Sequence, residues 1–88
     1  MELYLSTVLE MAVYWTPRGL LPCDGRKLPI QHNEALFSLL GTNYGGDAVH
    51  EFGLPDLRPL DENGHKRDWK PGEPKKFIVV EGLYPVRD

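Results

Sequence analysis

The sequence predicts a small α+β domain, mostly β, with one short helix and many turns. Three observations lead there. The 88 residues include 8 Pro and 9 Gly, which punctuate the chain too often for long helices. Stretches rich in β-branched and aromatic residues stand near both ends, Leu3 to Trp15 and Phe77 to Val80. Only one segment, roughly Asn33 to Leu40, reads as a helix. A chain this short forms a single domain, residues 1–88, and buries roughly 60–65% of the surface its unfolded form exposes, so its core is thin.

Each element follows from local residues. Between Leu3 and Trp15, Val8, Met11, Val13 and Trp15 are candidate strand positions, and their imperfect alternation implies a bulge or an incompletely buried face. Thr16-Pro17-Arg18-Gly19 breaks that strand. Leu20 to Cys23, Asp24-Gly25, then Arg26 to Leu28 reads as a tight hairpin, because Asp-Gly supplies positive φ angles and Pro22 keeps its arm at a sheet edge. In the helix, Asn33 is placed to cap the N-terminus, Glu34 complements the helix dipole, and Gly41 suits the C-terminal stop. Leu36, Phe37, Leu39 and Leu40 make it apolar on most sides, which marks these four as core anchors.

After the helix, Tyr44-Gly45-Gly46-Asp47 reads as a glycine turn with positive φ. Leu54-Pro55 reads as a proline-braced extended segment, since the residue before proline avoids helical geometry. Residues 61–76 form a polar surface loop with 5 basic and 4 acidic side chains. Residues 77–87 close the domain as a last strand.

Composition excludes several classes of function. With 10 basic against 13 acidic residues, a net charge of −3 gives no electrostatic reason to bind nucleic acid or an anionic membrane. No apolar run approaches the roughly 20 residues of a membrane span, so no membrane insertion is expected. The N-terminus lacks the basic region of a signal peptide, so synthesis and folding in a cytoplasm are expected. A single cysteine, Cys23, rules out an internal disulfide and cysteine-based zinc spacing.

Little in the sequence carries chemistry. Gly45-Gly46-Asp47 lacks the Gly-Lys-Ser/Thr and the strand–loop–helix order of a phosphate cradle. Cys23 beside Asp24 is a packed thiol and no nucleophile, because the adjacent acid raises a thiol pKa. His32, His50 and His65 have no metal-ligand spacing, so a metal would need three copies of one histidine around a symmetry axis. Asp56 and Arg58, two apart in an extended segment, share a face and read as an internal ion pair. Trp69, set among Lys66, Arg67 and Lys70, is either an aromatic that contacts a sugar or partner, or one that lies on its own loop. No carboxylate pair, catalytic triad or cofactor motif is present in the sequence, so the chain reads as a non-enzyme with no cofactor.

Three spaced motifs carry a resemblance: Pro17-x-Gly19-x-Leu21-x-Cys23-Asp24-Gly25, then Ala35-Leu36-Phe37-x-Leu39-x-Gly41-Thr42-x-Tyr44-Gly45-Gly46-Asp47, then Phe52-x-Leu54-Pro55-Asp56-Leu57-Arg58. In this order they closely resemble the phage tail collar domain, a family that includes collar regions of short tail fibres and bacterial microcystin-dependent proteins. The likeness covers residues 8–58, and Phe77 to Pro85 resembles the closing strand of full-length bacterial members. Two departures stand out: Leu20 replaces the family's usual Trp, and Pro59 follows Arg58 where Gly-Arg and a long variable region are usual. Without that region the resemblance implies the folded base and not the receptor-meeting tip.

The resemblance further implies a tail-collar-like fold and a structural or assembly role in a phage tail or phage-derived contractile injection apparatus, as a collar or attachment module. It implies a homotrimer that meets other tail or baseplate proteins within a virion tail or phage-like particle. Two rival readings are a glycan-binding or cell-surface tip module, with Trp69, Lys66, Arg67 and Lys70 as contacts, and a free bacterial protein of the microcystin-dependent type.

Overall fold

The computed structural model describes residues 3–86. Five strands and one helix follow in the order β1 (Val8–Met11), β2 (Leu20–Pro22), β3 (Lys27–Pro29), α1 (Glu34–Leu40), β4 (Glu51–Gly53) and β5 (Lys75–Val79). They form two antiparallel sheets, a three-stranded one ordered β1-β5-β2 and a two-stranded one of β3 and β4. The architecture is the small, mostly β domain with one short helix that the sequence predicts.

The last strand is the centre of the larger sheet. Phe77, Ile78 and Val79 are all buried, as a strand covered on both faces must be, and an unbroken apolar run is what such a position needs. The strand starts at Lys75, two residues inside the expected loop, because Lys75 and Lys76 pair with Met11 and Glu10 and the Cys23 N–H donates to the Lys76 carbonyl (2.9 Å). It ends at Val79, well short of residue 87; beyond it the Val80 and Glu81 N–H groups donate to the Gly19 carbonyl (2.9 and 3.2 Å), Leu83 bridges Tyr4, and the Tyr84 hydroxyl meets Ser38 Oγ (2.8 Å). Arg87, at the end of the expected strand, lies outside the described residues.

At the other end of the chain, Leu9 and Met11 face inward and Val8 outward, so of the four expected positions only Met11 is both in the strand and turned to the interior there. The imperfect alternation arises because Val8 faces outward in an unbroken Val8–Met11 register; a backbone irregularity lies just before the strand. Ser6, at φ 72°, and Thr7 together oppose Val79, whose C=O accepts from Ser6 N–H (3.0 Å) and whose N–H donates to the Thr7 carbonyl (2.9 Å). Two residues facing one is the signature of a bulge.

The Asp24-Gly25 turn forms, with Gly25 at φ +80°, but the expected hairpin does not. β2 pairs with β5 and β3 pairs with β4, so the turn hands the chain from one sheet to the other. The downstream segment wins the pairing: Leu57 N–H donates to the Cys23 carbonyl (2.8 Å), Leu54 N–H to the Arg26 carbonyl (2.9 Å), and Asp24 bridges Asp56. Pro22 sits in an edge strand, where its missing N–H costs no sheet bond.

Cys23, Leu36, Phe52, Leu54 and Ile78 form the main core, between the two sheets and the helix. Leu20, Phe77 and Val79 form a second cluster on the opposite face of the larger sheet, with Leu3, Leu9, Met11 and Val13 around it. The helix contributes less than its composition suggested: Leu36 is 1% exposed, while Phe37, Leu39 and Leu40 are only half-buried. A two-turn helix lying on one cluster covers one stripe, whatever its other sides contain. Asn33 does not cap it through its side chain; its Nδ2 donates back to the Pro29 carbonyl (2.9 Å). Gly41, at φ +59°, ends the helix with its N–H on the Phe37 carbonyl (2.7 Å).

Candidate functional site

Two regions concentrate polar side chains, and they use them differently. In the first, Asp24-Gly25-Arg26 and Asp56-Leu57-Arg58 lie side by side and repeat one arrangement. Asp24 Oδ1 accepts from Arg26 Nε (3.0 Å) and Oδ2 from Nη2 (2.9 Å). Asp56 accepts from Arg58 in the same two-pronged way, at 2.9 Å on each oxygen, and also from the Arg58 N–H. A carboxylate gripped by a planar guanidinium favours its charged form, and Arg26 and Arg58 hold the Asp24 and Asp56 carboxyls below the usual range. Arg58 also reaches Asp68 (3.2 Å), and Lys66 Nζ donates to the carbonyls of Asp56 (2.9 Å) and Arg58 (3.1 Å), tying the 61–74 loop to this ladder.

The glycine turn is pinned in a related way. Asp47 Oδ1 accepts the backbone N–H groups of Val49, His50 and Glu51, at 2.9, 2.7 and 3.1 Å. Those three donors, His50 first, hold its carboxyl far below the ordinary carboxylate range. Gly45 and Gly46 have φ of +115° and +101°, and a Cβ on Gly46 would collide with the backbone of Glu51 and Phe52. Gly53, whose N–H donates to the Gly45 carbonyl (2.9 Å), lies as tightly against the Tyr44 carbonyl. Tyr44 thus contributes through its backbone while its ring is half exposed. Leu54 and Pro55 are buried directly after this contact.

Cys23 is sealed in the main core with its thiol pushed up to about 11, by burial first and the Asp24 charge second. Such a thiol holds its proton at neutral pH and is a poor nucleophile. Among the described residues, no group of three His, Cys, Asp or Glu side chains is placed to hold a metal ion, and no helix is long and apolar enough to cross a membrane.

The second region surrounds Trp69. Arg67 clamps both oxygens of Glu73 (2.8 and 3.0 Å), Lys70 N–H donates to the same carboxylate, and Glu73 N–H closes a turn on the Lys70 carbonyl (3.0 Å). The Arg67 guanidinium and the Lys70 N–H hold the Glu73 carboxyl down at about 2. The four residues singled out from sequence therefore separate. Lys66 and Arg67 use their donors within the domain, whereas half-buried Trp69 and exposed Lys70 border a cleft of about 420 Å³. Its other wall is Ala12, Val13 and Tyr14, with Lys75 at the base of β5. Sequence reading missed Tyr14 and Lys75, which are far apart in the chain; only the Met11–Lys75 pairing brings residues 12–14 beside residues 69–75.

Fold and side chains together describe a structural module whose charged groups fix loops to one another. The family comparison agrees: the model of the phage tail collar domain matches residues 6–60, and the chain belongs to that family. The matched span contains both Asp-x-Arg pairs, the helix and the pinned glycine turn, and it stops short of Trp69 and β5. No curated protein and no solved structure gives a significant match to the chain.

Proposed function

We propose that this chain is a non-enzymatic assembly or attachment module that works as a homotrimer in a phage tail or a phage-derived contractile injection apparatus. The coarser part, a phage tail structural module, follows from the family match over residues 6–60. The observation that supports the finer part is the amount of large apolar surface a thin-cored domain leaves in water. Tyr4, Trp15, Tyr44, Val49, Leu60, Leu83 and Tyr84 all stand at least 45% exposed. Side chains of this kind favour burial against another protein, and closed symmetry is the commonest way for identical chains to provide it. The pinned ladders keep the backbone fixed while that surface is presented.

Light scattering on the purified protein tests the oligomer. A mass of about three times the 10.0 kDa chain is expected, concentration-independent in the micromolar range. A stable monomer would remove the trimer and favour a free bacterial protein of the microcystin-dependent type. Sheath and baseplate genes beside this one would support the contractile apparatus, and their absence would count against it.

A further inference from the structure

We propose that the cleft between Tyr14 and Trp69 binds one ring of an acidic saccharide. The cleft lies largely outside the span matched to the collar family, on the 69–75 loop and on residues 12–14 after β1. It combines three features that together select such a ligand. Its volume, about 420 Å³, suits one or two sugar rings. Two aromatic side chains line it, and Tyr14 is 90% exposed although its ring is already held edge-on to Trp15 (centroids 5.0 Å apart). The electron-rich face of an indole or phenol attracts the polarised C–H groups on one side of a sugar ring.

Charge supplies the third feature. Lys70 and Lys75 both line the cleft, and among the described residues neither ammonium has a hydrogen-bonded or ion-paired partner. Arg26, Arg58 and Arg67, by contrast, are all paired with carboxylates. Two unpaired ammonium groups beside an aromatic wall attract an anionic substituent. Glu73, whose oxygens retain unused lone pairs beyond the bonds from Arg67 and Lys70, accepts hydroxyl donors. That carboxylate disfavours a nucleotide, whose phosphates would meet it, and favours a sugar that brings hydroxyls to it and a single acid to the lysines. The loop is set before any ligand arrives, because the Arg67–Glu73 clamp and the Lys70–Glu73 turn fix its backbone, which limits the ordering cost of binding.

The test titrates the 88-residue protein with glucuronic acid, galacturonic acid and N-acetylneuraminic acid, each against a neutral parent sugar, followed by tryptophan fluorescence and amide chemical shifts. Millimolar binding of at least one acidic sugar is expected, at least fivefold tighter than the neutral parent and weakened by salt. Shifts should centre on residues 12–14 and 69–75. Trp69→Ala should weaken binding about tenfold or more, and Tyr14→Ala, at a fully displayed ring, should weaken it without lowering the melting temperature. Lys70→Ala and Lys75→Ala should each cost about two- to fivefold and together erase the preference for acid. No binding by any of the three acids, equal binding of the neutral sugars, shifts centred elsewhere, or binding only of a glutamate-rich peptide would each overturn the proposal. Oligomeric state, measured in the same samples, reads the trimer separately.

Discussion

Replacing Gly46 with alanine should threaten the whole fold, although the change adds one methyl to a surface turn. Two costs combine. At φ +101° an L-residue is strained, by about 1–2 kcal/mol. The new Cβ would also sit closer than 3.0 Å, a separation real Cβ atoms essentially never show, to Glu51 O and Phe52 Cα. Those are backbone atoms, so no rotamer change relieves the contact. Relief means opening the Gly46–Phe52 bridge and shifting Phe52, which is fully buried in the main core, at about 1–3 kcal/mol more. The total of about 2–5 kcal/mol compares with roughly 4–13 kcal/mol expected for a domain of this size. Gly64 supplies the control: its φ is +82°, yet nothing lies within 4 Å of the position a Cβ would take, so Gly64→Ala carries the strain alone. Gly53→Ala isolates the other cost, since Gly53 lacks positive φ but abuts the Tyr44 carbonyl. Urea and thermal melts of the three variants should rank Gly46→Ala as most damaging, with its melting temperature lower than that of Gly64→Ala by about 5–20 °C. Equal melting of Gly46→Ala and Gly64→Ala would refute the close-approach account of this turn.

Four further outcomes follow from the packing and the titrating groups. Leu36→Ala should cost about 2–5 kcal/mol in denaturant melts, and Phe37→Ala, half-buried against Phe52 at a centroid distance of 5.4 Å, clearly less than the roughly 3–5 kcal/mol of a fully buried ring. Glu73 has a folded pKa below its ordinary value, so its stabilising contribution is complete above about 4.5 and fades as pH falls toward about 2; Glu73→Gln should flatten that part of a melting-temperature profile. For Cys23 the sign reverses: between about 9 and about 11 the unfolded chain releases the thiol proton while the folded chain holds it, so stability should fall across that window, by about 2–3 kcal/mol at most, and Cys23→Ala should remove the slope. Native Cys23 should react with a thiol reagent only as fast as the domain opens.

The sequence by itself determined what depends on neighbours along the chain. Glycines at 25, 45 and 46 read as turn residues because only their own backbone conformation is at stake, and all three have positive φ. Gly41 ends the helix for the same local reason, and the Phe77–Val79 run reads as strand from its residue types alone. Asp56 and Arg58 are two apart on one face, so their pairing needed no tertiary information. Tertiary structure decided everything set by partners distant in sequence. The Asp24-Gly25 turn was legible, but the arm after it pairs with Glu51–Gly53 rather than folding back on Leu20–Pro22, and no local pattern distinguishes those partners. Burial along the helix was misjudged because composition says how apolar a face is and not how much of it another element covers; Leu36 is fully covered and Leu39 only in part. The cleft at Trp69 is the clearest case. Its two walls lie more than fifty residues apart in the sequence, and they meet because an antiparallel register sets Met11 opposite Lys75. Register is a property of the assembled sheet, fixed by which apolar set reaches the core, and it exists only once the whole chain has folded.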